Sequence, residues 1–104
     1  MNYKGSLPLL ILQCLQNGPL HGYGIAQRIK TLSREVLSFK EGTLYPTLHS
    51  LEHQGAIESF SETVSGRERK SYRLTEQGKK QLLQQEEQWH TFVNAVNSVL
   101  GGKA

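Results

Sequence analysis

The spacing of apolar residues changes period twice along this 104-residue chain, and that change limits what it can fold into more than any other feature. Leu7, Leu9, Leu10, Ile11, Leu12, Cys14 and Leu15 form a first apolar run behind Ser6, a good helix N-cap. Pro8 sits in the first turn, where its missing N–H costs least, and Asn17-Gly18-Pro19 ends the run. Ile25, Ile29 and Leu32, spaced i, i+4, i+7, predict a second helix from about His21 to Ser33, its first turn weakened by Gly22 and Gly24. Leu44, Leu48 and Leu51 repeat that spacing in a third helix over Glu41 to Gln54, closed by Gly55. Short strand-like segments follow: Ala56 to Thr63 and Glu68 to Leu74 read as two strands around Val64-Ser65-Gly66-Arg67. Helical spacing returns from Thr75, an N-cap backed by Glu76 in the first turn, to about Leu100 before Gly101-Gly102.

The expected architecture is therefore mainly α with a small β-hairpin: three helices, a hairpin and one long helix. Its length suits one modest hydrophobic core. Residues 1–75 form the first part and residues 76–104 a terminal helix within the same compact unit. Apolar residues make up 37% and charged residues 20% of the chain, the balance of a water-soluble globular protein. The single Cys14 lies in an apolar run and needs no oxidising compartment, which suits the cytoplasm. The stretch Leu7 to Leu15 is interrupted by Pro8 and falls short of the ~20 residues a bilayer requires.

A formal net charge of +3 says little about partners, but its placement says more. Arg67, Arg69, Lys70 and Arg73 gather on the hairpin, Arg28, Lys30 and Arg34 form a smaller group on and just after the second helix, and Glu86 and Glu87 lie on the last. Three helices followed by a two-stranded wing is the winged form of helix-turn-helix, in which the third helix enters the DNA major groove and the wing follows a phosphate track. Stepping 100° per residue from Leu44 puts Pro46, His49, Ser50 and His53 on the outward face, flanked by Thr43 and Tyr45. That face is polar and free of acidic groups, as groove insertion requires.

Glu41-Gly42-Thr43-Leu44-Tyr45-Pro46-Thr47-Leu48, followed by Leu51-Glu52 and Gly55, resembles the E-G-[ST]-L-Y-P-x-L-x-x-L-E-x-x-G signature of PadR-like regulators. Leu20-His21-Gly22-Tyr23-Gly24-Ile25 and Arg69-Lys70-Ser71-Tyr72-Arg73-Leu74-Thr75-Glu76-Gln77-Gly78 extend the similarity over nearly the whole chain. The resemblance implies a repressor that binds double-stranded DNA at an inverted repeat as a homodimer. The expected DNA contacts are His21, Tyr23, Lys40, Thr43, Tyr45, Pro46, His49, Ser50, Arg67, Arg69 and Lys70. With only one helix after the wing, the chain is similar to the short subgroup of that family.

A helix of about 25 residues extends roughly 37 Å, longer than the preceding part can cover. Leu82, Trp89, Phe92, Val93, Val96, Val99 and Leu100 recur at three- and four-residue steps along it, as expected of a dimer interface. The resemblance also includes multidrug-sensing members with a tryptophan on this helix, so Trp89 carries a second reading as a stacking wall for a small aromatic effector. Plain interface packing is the preferred one.

Other classes fit less well. His49 and His53 share a helix face, but Ser50 stands where the zinc-protease pattern needs Glu and no third ligand is indicated, so no metal is expected. No nucleophile elbow or phosphate-cradling loop is present, and neither an enzyme nor a cofactor is expected. A winged helix used only for protein contacts remains the rival. It would be expected to lose the wing cations that are present here.

Overall fold

A computed structural model describes residues 3–101. A 3-10 turn, Tyr3–Ser6, leads into α1 (Leu7–Cys14). Then come β1 (Leu20–His21), α2 (Gly22–Leu32), α3 (Glu41–His53), β2 (Ile57–Val64), β3 (Arg67–Leu74) and α4 (Glu76–Val99). Gly102 and the outer bounds expected for the two parts, residues 1 and 104, lie outside the described residues.

All four α-helices stand where the apolar spacing predicts them. Leu7, Ile11 and Leu12 of α1, Ile25 and Ile29 of α2, and Leu44, Leu48 and Leu51 of α3 converge in one core with Ala56, Ile57 and Tyr72. Each such aliphatic side chain removed from water contributes about 1.5–3 kcal/mol, so this convergence is the main force holding the helices together.

Leu32 departs from expectation: it is 72% exposed. It is the last residue of α2, and the chain turns away immediately through Arg34 and Glu35, which have φ of 54° and 64°. The final turn of α2 thus overhangs the core instead of covering it.

The sheet has three strands, ordered β1-β3-β2, all antiparallel. The additional strand β1 is only two residues long and pairs Leu20 with Tyr72 and His21 with Ser71. The hairpin is tighter than the sequence suggests: Val64 faces Arg67, leaving Ser65 and Gly66 as the turn. Both have positive φ, 54° and 78°, the backbone of a two-residue turn whose twist matches its strands.

The start of α4 is fixed by its N-cap. The Thr75 hydroxyl accepts from the Gly78 N–H at 3.0 Å and donates to the Gly55 carbonyl at 2.6 Å. The Thr75 N–H donates to the Ala56 carbonyl at 3.1 Å. Gly78 is pressed so closely onto that strand start that an added Cβ would stand 1.9 Å from the Ala56 oxygen.

One turn later Leu82, 2% exposed, enters the core. That corrects the expectation that Leu82 belongs to a partner-facing stripe: its side chain is already covered by its own chain. Beyond it α4 runs out along a molecule measuring 55 × 28 × 22 Å, and Trp89, Phe92, Val96, Val99 and Leu100 are exposed, with Val93 half-buried.

Gly78→Ala is expected to cost on the order of 3 kcal/mol, because the obstructing atom is backbone oxygen and cannot rotate aside. Urea denaturation measures this as a lowered midpoint. A midpoint equal to wild type would show that α4 is not seated this way.

Candidate nucleic-acid interface

α3 begins without a side-chain cap: Lys40 holds the extended N-cap conformation and contributes no capping bond. Its buried stripe, Leu44, Leu48 and Leu51, turns the opposite face to solvent. Pro46, His49, Ser50 and His53 are exposed there, as the 100° stepping predicts, and Thr43 is half-buried. Pro46 has no N–H to offer Gly42 four residues earlier, so that exposed residue's carbonyl has no i+4 helical donor. The Thr43 carbonyl accepts from the Thr47 hydroxyl at 3.0 Å, and the Ser50 hydroxyl from Gln54 Nε2 at 3.0 Å. His49 and His53 share the face, and among the described residues no group of three or more metal-ligating side chains forms.

Tyr45 has a second task that the residue pattern does not reveal. Its half-buried ring lies against the first turn of α2, where a Cβ on Gly22 would come within 2.5 Å of the phenol oxygen and 2.9 Å of Cζ. Gly22 is therefore the gap that lets α2 and α3 approach, besides being a weak start to a helix. His21 folds over Gly24 in the same way, with a ring carbon 3.1 Å from where a Cβ would stand, and its ring stacks on Tyr23 at 6.3 Å. Tyr23 is exposed and accepts from Gln27 Nε2 at 2.8 Å.

Tyr23, Lys40 and Tyr45 meet in a cleft of about 330 Å³ between α2 and the start of α3. Gln27, Lys30 and Phe39 also line it, and none of these three was among the expected contact residues. Lys30 lies three residues from Gln27 on the same helix face, a spacing available in the sequence but without the α2–α3 packing to give it meaning.

On the wing the cations are not equivalent. The register sets Arg69 opposite Glu62 and Arg73 opposite Glu58. Arg69 lies 3.7 Å from Glu62, while Arg73 donates to Glu58 at 2.7 Å and covers the Phe60 ring at 4.5 Å. On the other face Lys70 is 3.8 Å from Glu52, a residue of α3 that also accepts from the Ser59 hydroxyl at 2.6 Å. Glu62 accepts in turn from the buried Ser71 hydroxyl. Arg67, at the tip, faces Val64 and makes no ion pair among the described residues.

Two buried groups have shifted titration. Burial pushes the Cys14 thiol upward, with Arg28 opposing, so Cys14 is a packed thiol and no activated nucleophile. The Tyr72 hydroxyl is also raised, first by burial and then by Glu52 and Tyr45.

On the far side, the Trp89 and Phe92 rings lie 5.9 Å apart. Trp89 also borders an apolar cleft of about 490 Å³, lined by Leu9, Leu10, Val36 and Leu37 among others.

Residues 11–84 match the family model described as the Transcriptional regulator PadR-like family. A transcriptional regulator of Mycobacterium tuberculosis is 35% identical over 97% of this chain and 89% of its own length. A transcriptional regulator from Clostridium thermocellum superposes with a TM-score of 0.85 at 32% identity, covering 91% of this chain and 93% of that one. The Bacillus subtilis negative transcriptional regulator PadR is 37% identical over 73% of this chain and 42% of its own. Its crystal structure in complex with operator DNA superposes with a TM-score of 0.68 at 33% identity, over 75% of this chain and 45% of that one.

Gly22→Ala is expected to cost about 1–2 kcal/mol by displacing the Tyr45 ring, and less in a Tyr45→Ala background, where the clash is gone. Thermal or urea unfolding of the four proteins in this cycle reads the coupling. Additive losses would mean that the two residues do not set the α2–α3 spacing.

Proposed function

Since the chain belongs to the PadR-like family of transcriptional regulators, we propose that it is a repressor that binds an inverted-repeat operator as a homodimer. Residues 1–75 hold the DNA. α3 lies in the major groove with Thr43, Pro46, His49 and Ser50 toward the bases, and the wing lies on phosphates through Arg67, Arg69 and Lys70. His21, Tyr23, Lys40 and Tyr45 serve the backbone beside the α3 N-terminus.

The observation that carries this reading is the outward face of α3. It is polar and free of acidic side chains along its middle turns, beside a cationic wing tip, on a scaffold similar to one solved with operator DNA. The negative regulator among the relatives supports repression over activation. No catalytic role is assigned. Among the described residues no helix is long and apolar enough to cross a membrane, and we place the protein in the cytoplasm with its DNA.

Residues 76–104 make the dimer. Trp89, Phe92, Val96 and Val99 follow one another at three- and four-residue steps, all exposed, and support packing against the same helix of a second copy, with Val93 and Leu100 at the edges. Trp89 packs within that interface. A flat aromatic effector in the neighbouring cleft is the alternative that the family resemblance allows.

Selection of bound fragments from a random duplex library at near-physiological salt is expected to enrich an inverted repeat with half-sites about one helical turn apart. A folded dimer that enriches nothing would refute the operator reading and favour protein contacts instead.

Val96→Asp puts a charge into the proposed helix interface at a site half open in the single chain, so it is expected to yield monomer. Sedimentation velocity distinguishes the two states. A wild-type dimer in the variant would exclude this face.

A further inference from the structure

The wing carries its own counter-ions. Cross-strand pairing holds Glu62 against Arg69 at 3.7 Å, and α3 holds Glu52 against Lys70 at 3.8 Å. Neither carboxylate is loose. Glu62 is tied by the Ser71 hydroxyl, which is fully buried, and Glu52 by the Ser59 hydroxyl at 2.6 Å. Arg73 is held most directly, by Glu58 at 2.7 Å. Arg67 alone among the wing arginines and Lys70 lacks an ion-pair partner among the described residues.

Partly exposed pairs of this kind add little to folding stability, because solvent screens them and ordering two long side chains costs entropy. Their effect on DNA binding is larger. A cation that neutralises a phosphate releases a condensed counter-ion, and this release gives binding its salt dependence. If Arg69 must leave Glu62 to reach a phosphate, the exposed carboxylate takes up a cation from solution as the DNA gives one up. The net ion release is then close to zero.

We propose that Glu62 and Glu52 are built-in competitors of DNA for Arg69 and Lys70, so that on random sequence the wing's net counter-ion release comes from Arg67, the wing cation without an ion pair among the described residues, even though Arg69 and Lys70 also lie toward phosphates. This rests on the DNA-binding reading above and adds to it which residues set non-specific affinity. Glu62 and Glu52 are positioning residues: they act through the cations they hold. Their consequence is a protein that leaves random DNA readily, so that contacts from α3 carry a larger share of its total affinity.

The test is the salt dependence of binding to a random-sequence duplex, measured by fluorescence anisotropy between 50 and 200 mM salt at protein concentrations where wild type is dimeric. One phosphate contact per protomer changes the slope of log affinity against log salt by about 0.9, hence about 1.8 for a dimer. Arg67→Ala is expected to lower the slope by that amount, and Arg69→Ala to leave it nearly unchanged. Glu62→Gln keeps an oxygen for Ser71 and frees Arg69, so the slope rises by about 1.8, making affinity roughly tenfold more salt-sensitive across this range. The double variant Glu62→Gln, Arg69→Ala returns to the Arg69→Ala value. Glu52→Gln gives an independent rise through Lys70 should the Glu62 variant fold poorly, and Glu86→Gln, far out on α4, leaves the slope at the wild-type value.

Equal losses for Arg67→Ala and Arg69→Ala would overturn the proposal. So would a gain from Glu62→Gln that persists without Arg69, since it would then come from relieved repulsion of the DNA. Those outcomes leave DNA binding itself intact. A wild-type dimer that does not bind duplex at 50 mM salt overturns both readings.

Discussion

The carbonyl oxygen of Ala56 joins the start of α4 to the end of α3 and the base of the wing. Ala56 follows α3 by three residues and opens the path into the wing. The same oxygen accepts the Thr75 N–H at 3.1 Å, has the Thr75 hydroxyl at 3.0 Å, and lies beneath Gly78. Gln77 closes the junction by donating to the Gln54 carbonyl at 2.7 Å. The direction in which α4 leaves the core is therefore tied by short backbone contacts to the end of α3. In the proposed dimer through α4, that angle would set the separation of the two α3 helices and so the half-site spacing of the proposed inverted repeat.

The other joint, between α2 and α3, is made from a side chain that sequence reading assigns to DNA. Tyr45 seats its ring against Gly22, so much of its surface is committed to holding α3 in place. In the proposed DNA-binding reading this narrows the groove-facing group to the more exposed Pro46, His49 and Ser50, with Thr43 at their edge. It also gives the glycine a physical role. Any side chain there would meet the phenol and displace the Tyr45 ring from its seat.

The helices were legible because their apolar residues recur at three- and four-residue steps: Leu44, Leu48 and Leu51, spanning about two turns, leave little choice of face. β1 was not, since two residues carry no period, and Leu20 and His21 become a strand only through the edge that Tyr72 and Ser71 offer them. Leu32 and Leu82 both fit their apolar stripes, yet the first is exposed and the second is buried within its own chain. Spacing gives a side chain's direction around a helix, but not where along its length the rest of the chain stops covering it. Leu32 lies past that limit on α2 and Leu82 lies inside it on α4. The outward face of α3 was legible for the same reason as its core. The inequality among the wing cations was not, because whether Arg69 meets a carboxylate depends on strand register, and the two-residue turn at Ser65-Gly66 sets that register.

Register also explains how a chain of formal net charge +3 can use electrostatics selectively. Glu58, Glu62 and Arg67, Arg69, Arg73 point to one face of the hairpin because opposite residues of antiparallel strands share a face. Among the described residues, two of those arginines are answered by a carboxylate and one is not. Had the turn been one residue longer, the alternation would have moved Glu62 away from Arg69 and left more of the wing positively charged. The turn thus controls more than the shape of the wing: it chooses which cations are paired within the chain, and so how many the proposed wing contact could offer to phosphates.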